Sequence, residues 1–323
     1  MMRPKPLQGE GRLMSHCRIA ICALLAALSV TACNKGTTPS PTADKTTLSL
    51  GESAHVDGLP QLALTPDSVH IDYRVWGTGE PAVVLIHGWA GNANYWSAQI
   101  EALKPKYTVV AVNLAGHGAS ERNRTDWSMG NYGEDVATVV RQLKNRQIVL
   151  VGHSMGADVA LEAARRIGDR VIGIVAVDSL KSIGLPPMRP QEINRQLAPF
   201  RDHFIEATRD YVTNAMFEKG ANPAFVQKVA YDMSREPPQI GIPSMQSLLA
   251  MDFATLLPDI HVPVLAINSD LGPTDEVRIR KYLPGFKADV LDHTGHFLMM
   301  EVPERFNPVL LQDIDALVQK AQH

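Results

Sequence analysis

A single serine lies between two glycines at residues 152–156, which have the sequence GHSMG. The preceding IVLVG (148–152) is apolar, as in a buried strand, and the following ADVALEAARRI has helix formers with apolar residues at helical spacing. Gly152 and Gly156 lack a Cβ atom, so a strand can turn steeply there into a helix. Ser154 would stand at the apex of that turn, at the positive end of the helix. The pattern predicts a nucleophilic hydroxyl whose developing negative charge is stabilised.

A histidine late in the chain could act as the base for this serine. The segment DHTGHFLMMEVPERF (292–306) contains His293 and His296. The pair has the H-x-x-H spacing of some metal sites, but no third ligand cluster accompanies it in the sequence. We therefore expect no metal site at these histidines, and we expect neither a metal nor a cofactor.

The elements that must position these residues alternate between strand and helix. Strands that are apolar on both faces, separated by helices, indicate a mostly parallel sheet covered on both sides. We predict an α/β fold of this kind, with strands near residues 69–77, 82–88, 107–114, 148–152, 171–178, 262–268 and 285–292. Ligands of such sheets bind beyond the carboxyl ends of the strands, where the loops with Ser154 and His296 begin.

The alternation breaks between residues 181 and 258. This interval has several helical stretches, including 190–220, with proline pairs at 186–187 and 237–238 and no obvious strand. It is predicted to form a helical cap inserted between two late strands. The core of the fold would then comprise residues 48–180 and 259–323.

These motifs resemble those of the α/β-hydrolase superfamily, whose nucleophile elbow is G-x-S-x-G, over about residues 69–320. The resemblance implies Ser154 as nucleophile and His296 as base. HGW at 87–89 resembles the superfamily's oxyanion loop, which implies an oxyanion hole made by the backbone N–H groups of Trp89 and Met155. LAGHGAS (114–120) resembles a further family loop, in which Asn113 stands at the place of the usual aspartate. His87, His117 and His153 are assigned by the resemblance to structural hydrogen bonds.

The acid that orients the histidine is less clearly marked. The family usually shows G-x-x-D after the strand at 262–268, and without a gap that aspartate would fall on Gly272. Shortening the loop by one residue places Asp270 there, and lengthening it places Asp275. Asp178 lies at the end of the preceding strand, where some family members carry their acid. Asp270 is the preferred prediction, with Asp178 and Asp275 as alternatives.

The amino-terminal residues resemble a bacterial lipoprotein signal. Arg18 precedes the apolar run 19–30, which is too short to span a bilayer and ends in VTAC. We expect residues 1–32 to be a signal peptide, with a possible start at Met14, and Cys33 to carry a lipid. The three cysteines are Cys17, Cys22 and Cys33, so the mature chain would contain no disulfide.

Residues 33–47 after this signal are rich in Thr, Ser, Pro and Lys and are predicted to be a flexible tether. The sequence thus predicts a protein of the bacterial cell envelope, anchored by lipid to the outer membrane. The net charge of −3 argues against a nucleic-acid partner and against a polybasic membrane patch. The oligomeric state is not indicated.

The function predicted from these features is a serine hydrolase that cleaves a small-molecule carboxylic ester through an acyl-enzyme. A carbon–carbon bond hydrolase, a lactonase, an amidase and a perhydrolase are alternatives within the superfamily. A lipid-anchored binding protein with the fold but without turnover is the alternative from a different class.

Overall fold

Within residues 57–322, which the computed structural model describes, eight strands form one sheet. They are β1 (Pro60–Leu64), β2 (His70–Trp76), β3 (Ala82–Ile86), β4 (Thr108–Val112), β5 (Ile148–His153), β6 (Val171–Val177), β7 (Val264–Ser269) and β8 (Lys287–Leu291). Their order across the sheet is β1-β2-β4-β3-β5-β6-β7-β8. The pairs β1–β2 and β2–β4 are antiparallel and the other pairs are parallel. The predicted mostly parallel sheet is confirmed. The predicted signal peptide, lipidated Cys33 and tether lie outside the described residues.

Helices follow most strands. They are α1 (Ser97–Leu103), α2 (Met129–Gln142), α3 (Met155–Ile167), α4 (Pro190–Asp202), α5 (Phe204–Ala215), α6 (Pro223–Ser234), α7 (Pro238–Leu249), α8 (Phe253–Leu256), α9 (Glu276–Ile279), α10 (Leu298–Glu301) and α11 (Pro303–Lys320). Helices α2 and α3 pack together, as do α1 and α11, and both groups contact the sheet. Every residue of β3, β4 and β5 is therefore buried, which explains why these strands are apolar throughout.

Strand β1 lies before the first strand that the sequence pattern predicts. It pairs with β2 at the edge of the sheet, and its Leu62 and Leu64 are exposed. An edge strand that exposes its leucines lacks the burial pattern from which strands are predicted, so the periodicity does not reveal it.

Helices α4 to α8 lie between β6 and β7, as predicted for an inserted cap. The stretch 190–220 is two helices, α4 and α5, which meet at His203. Within residues 57–322 no single helix is long and apolar enough to cross a bilayer; only the pair Pro238–Leu249 and Phe253–Asp259, bent by 72°, reaches that length and composition together.

The cap is attached to the loop that follows β3. The indole Nε1–H of Trp89 donates a hydrogen bond of 2.7 Å to the carbonyl oxygen of Gly241 in α7. The same indole makes edge-on contacts with Phe200 and Phe204 of the cap, at ring-centroid distances of 5.9 and 6.0 Å. Trp89 therefore packs one core loop against three cap helices, α4, α5 and α7.

Candidate active site

Ser154 occupies the turn between β5 and α3. Its φ of 51° and ψ of −123° are unusual for a residue with a side chain and cost on the order of 1–3 kcal/mol. A Cβ atom on Gly152 would lie 2.1 Å from the carbonyl oxygen of Gly156, and one on Gly156 would lie 2.4 Å from that of Ile86. Both positions flanking the serine thus require glycine because backbone atoms approach closely, which agrees with the predicted elbow.

The predicted oxyanion donors are close to this serine. Met155 is the first residue of α3, so its N–H has no partner within the helix. A Cβ atom on Gly88, the residue before Trp89, would lie 3.1 Å from Cβ of Ser154. Gly88, Trp89, Ser154 and His296 line one narrow crevice that leaves about 10 Å³ for solvent, roughly one water molecule. The loop after β3 therefore packs closely against Ser154.

His296 is held by Asp178, which corrects the preferred prediction of Asp270. Oδ2 of Asp178 lies 2.6 Å from Nδ1 of His296. Asp178 follows β6 with a φ of 44°, a turned backbone that only the folded chain reveals. The carboxylate of Asp270 is exposed and accepts instead from the backbone N–H groups of His293 and Thr294, at 3.0 and 3.3 Å.

Asp275, the other alternative for the acid, also has a local role. Its side chain accepts a hydrogen bond of 3.0 Å from the backbone N–H of Arg278 and so caps the short helix α9. His293, the competing histidine, is exposed and has a φ of 53°. The structure therefore brings together Ser154, His296 and Asp178 and leaves Asp270, Asp275 and His293 outside the crevice.

Two residues that the sequence did not single out hold the other oxygen of Asp178. Oδ1 accepts from the backbone N–H of Ser269 at 2.9 Å and from its hydroxyl at 2.7 Å, and Nζ of Lys181 lies 2.8 Å away. Burial opposes ionisation of Asp178, but the hydrogen bond and charge of His296 and the charge of Lys181 outweigh it and hold the pKa well below its usual range. Ser269 ends the strand beside β6, a position that could have indicated its role.

The backbone of His296 is fixed from two sides. Its N–H donates to the carbonyl oxygen of Met216, at the end of cap helix α5, at 2.8 Å. Nε2 of His153 lies 2.8 Å from the carbonyl oxygen of His296, so this ring nitrogen carries the proton and donates it. Burial and the proximity of His296 lower the pKa of His153 to about 3, which keeps that ring neutral. The base therefore sits on a loop braced by both core and cap.

The other histidines next to the motifs make hydrogen bonds to backbone groups of the loops around them. Nε2 of His87 accepts from the backbone N–H of Leu114 at 3.1 Å, and Nδ1 of His117 lies 3.0 Å from the carbonyl oxygen of Ala115. Burial holds the pKa of both rings below the ordinary value for histidine. In residues 57–322 no cluster of three or more His, Cys, Asp or Glu side chains could hold a metal ion.

A larger cavity of about 330 Å³ opens beside Ser154. One side is formed by residues after β6, including Leu180 and Met188, and the other by residues of the cap, including Leu249 and Phe253. Its walls are mostly apolar, and its volume is at the lower end of the range for small-molecule sites. The arrangement places a serine, a histidine bound to an aspartate, and the loop with Trp89 together, beside room for a small organic group.

Comparison with known proteins agrees with this geometry. Residues 83–309 match the alpha/beta hydrolase family. A 2-(acetamidomethylene)succinate hydrolase from Mesorhizobium japonicum is 24% identical over 263 residues, which are 77% of this chain and 92% of the relative. A bifunctional esterase/perhydrolase from Acinetobacter calcoaceticus is 30% identical over 231 residues, 64% of this chain and 80% of the relative. An esterase from Exiguobacterium antarcticum has a similar fold, with a TM-score of 0.70 at 20% identity over 80% of this chain and 100% of that one. This chain therefore belongs to the alpha/beta hydrolase family.

Proposed function

We propose that this protein is a serine hydrolase that cleaves small carboxylic esters through an acyl-enzyme intermediate. The observation that carries the proposal is the 2.6 Å contact between Asp178 and Nδ1 of His296, whose side chain lines the same crevice as the strained Ser154. Because Nδ1 donates to the carboxylate, Nε2 is the nitrogen left to accept the serine proton.

The reaction would proceed in two halves. Ser154 attacks the ester carbonyl while His296 takes the hydroxyl proton, and the N–H groups of Trp89 and Met155 hold the negative oxygen. His296 then gives its proton to the leaving alcohol. Water repeats the sequence on the acyl-enzyme and releases the acid. Each oxyanion donor typically contributes about 3 kcal/mol to lowering the barrier.

The reaction class is supported by the printed activities of relatives. The Acinetobacter calcoaceticus relative is an esterase and perhydrolase, and the Mesorhizobium japonicum relative is a hydrolase. An ester is the substrate common to hydrolysis and to acyl transfer from a serine, so we favour carboxylesterase activity. A cavity of about 330 Å³ favours short and medium acyl chains over palmitate.

The test is hydrolysis of p-nitrophenyl esters from acetate to palmitate by the full chain in detergent micelles. We expect turnover with an optimum at short or medium chains, and a loss of at least about 10³-fold in Ser154→Ala. Ser97→Ala, which removes an exposed hydroxyl from α1, is the matched control and should keep full activity. Equal rates for wild type and Ser154→Ala would refute the nucleophile.

The same assay separates the alternatives. A folded protein without turnover on any ester would favour the carbon–carbon bond hydrolase or the non-catalytic binding protein. Turnover of lactones or amides at rates above the esters would favour those classes, and acceptance of the acyl group by hydrogen peroxide would favour a perhydrolase.

We also propose that the mature protein is anchored by lipid on Cys33 to the outer membrane. The support is the sequence of residues 1–33 alone. Growth of expressing cells with radiolabelled palmitate should label the wild type and not Cys33→Ser. Equal labelling of the two proteins would contradict the anchor.

A further inference from the structure

A buried carboxylate lies in the cavity next to the proposed nucleophile. Asp158 is in the first turn of α3, four residues after Ser154, and is only 4% exposed. Its side chain lines the same cavity of about 330 Å³ that opens at Ser154. Within residues 57–322 no other residue donates a hydrogen bond to the Asp158 carboxylate or forms an ion pair with it. Its one polar contact there is the backbone N–H of Asp158 itself.

An ionised carboxylate only accepts hydrogen bonds, and among residues 57–322 the Asp158 anion has no donor apart from its own backbone N–H. The remaining lining offers the hydroxyls of Ser179 and Ser182 among apolar side chains, and Asp158 is the one titratable group among the lining residues described. Burial raises the pKa of Asp158 to about 7, while its place at the start of a helix favours the anion. A buried acceptor of this kind is costly unless a partner arrives.

The part of the chain that the structure describes supplies no such partner. Lys181, a cation from the loop after β6, is already bound to Asp178 and to the carbonyl oxygen of Ser269. Asp158 also has no place in the triad, because Nδ1 of His296 is bound to Asp178. A cation that pairs with the Asp158 anion would therefore come from a molecule that enters the cavity.

We propose that Asp158 selects carboxylic esters that carry a cationic ammonium group close to the scissile carbonyl. The inference rests on the proposed serine hydrolase and names its substrate class. Asp158 follows Ser154 by four residues, which correspond to roughly 6 Å along a helix axis. We therefore place the ammonium nitrogen on the order of 6 Å from the ester carbonyl carbon that Ser154 attacks. A cation there forms an ion pair with the Asp158 carboxylate in an otherwise apolar cavity, where the low dielectric strengthens the attraction.

The test compares cationic esters with neutral isosteres, which differ only in a nitrogen replaced by carbon. On the acyl side the pair is p-nitrophenyl 4-(trimethylammonio)butanoate and p-nitrophenyl 5,5-dimethylhexanoate. On the alcohol side it is acetylthiocholine and S-(3,3-dimethylbutyl) thioacetate. We expect kcat/KM of the full chain to be about 10- to 100-fold higher for the cation in at least one pair. In Asp158→Asn, which keeps the shape and removes the charge, this ratio should fall to near one.

The controls distinguish failure of this inference from failure of the proposed function. Asp169→Asn removes an exposed carboxylate at the far end of α3 and should keep the preference. If the neutral esters are hydrolysed with dependence on Ser154 but neither cation is preferred, or if Asp158→Asn keeps the preference, only the role of Asp158 is refuted. If no ester is hydrolysed, the binding of the corresponding amides to Ser154→Ala is measured by calorimetric titration. Tighter binding of the cationic amide than of the neutral amide supports the site if it is lost when Asp158→Asn is added to Ser154→Ala. Equal binding of the two amides to Ser154→Ala overturns the site.

Discussion

Replacing Asp178 with asparagine should move the ring proton of His296 from Nδ1 to Nε2. Three donors converge on Oδ1 of Asp178: the N–H and the hydroxyl of Ser269, and Nζ of Lys181. An asparagine has one acceptor oxygen, and these donors will hold it at that place. Its NH₂ group must then face Nδ1 of His296, which can meet it only as an acceptor. The ring proton moves to Nε2, where the ring can no longer take the proton of Ser154.

The expected loss in kcat is about 10⁴-fold, the size seen when the wrong histidine tautomer is imposed on a serine protease. This loss corresponds to about 5 kcal/mol of barrier. Asp270→Asn is the matched control, because the same chemical change is made at an exposed carboxylate that contacts only backbone N–H groups. We expect it to change kcat by less than about threefold.

The assay is steady-state hydrolysis of p-nitrophenyl butyrate by the two variants and the wild type at pH 7. Near-ultraviolet circular dichroism establishes that each variant is folded. Asp178→Asn should lower kcat while KM changes little, since the substrate does not contact this carboxylate. A larger loss in Asp270→Asn, or more than a tenth of wild-type kcat in Asp178→Asn, would refute the identification of the acid.

Three further changes probe the elbow, the cap and the cavity. Gly156→Ala should lower the free energy of unfolding by about 2 kcal/mol or more in denaturant titration, because its Cβ atom would lie 2.4 Å from the oxygen of Ile86; unchanged stability would contradict the close approach. Trp89→Phe removes the indole donor to Gly241 and should cost about 1 kcal/mol, seen as a lower Tm; an unchanged Tm would show that the bond does not anchor the cap. In the folded protein the pKa of Asp158 is raised from 3.8 to about 7, so between these pH values the native state holds a proton that the unfolded chain releases. The free energy of unfolding of the wild type should therefore fall relative to that of Asp158→Asn as the pH rises from about 4 to about 7, by at most about 4 kcal/mol. Parallel pH profiles of Tm for the two proteins would contradict this.

The proposed nucleophile and base could be predicted from the sequence because their signals are local. Gly152, Ser154 and Gly156 lie within five consecutive residues, and the backbone contacts that require both glycines arise within one turn and the adjacent strand β3. His296 lies in a short segment whose letters resemble a family motif. Such patterns can be recognised without knowledge of the rest of the fold.

The acid could not be located in this way because two neighbouring strands offer it. Strands β6 and β7 are parallel and adjacent, so Asp178 and Asp270 both follow strands that end at the same edge of the sheet. The direction of each side chain depends on a left-handed backbone at Asp178 and on loop hydrogen bonds at Asp270. Neither determinant is visible in residue type or spacing.

Asp158 illustrates a second limit. The pattern of residues 155–167 predicts a helix, and a charged residue in the first turn of a helix is ordinary. Its lack of a partner depends on the cap, since Leu248, Met251 and Phe253 close the cavity from a segment about a hundred residues later in the chain. The sequence alone does not show which apolar side chains surround that carboxylate.

The hydrogen bond from His296 N–H to the carbonyl oxygen of Met216 has a bearing on how this chain can diverge. The acceptor is a main-chain atom, so almost any residue type at position 216 can supply it, and mutation of the cap's side chains need not disturb the base. The cap's side chains, and with them substrate specificity, can thus change while the loop that contains His296 keeps its hydrogen bond to the cap. Grafting a foreign cap onto this core carries the opposite risk: a donor cap whose chain path omits a carbonyl at this place would leave the histidine loop unsupported, however well its side chains fit a new substrate.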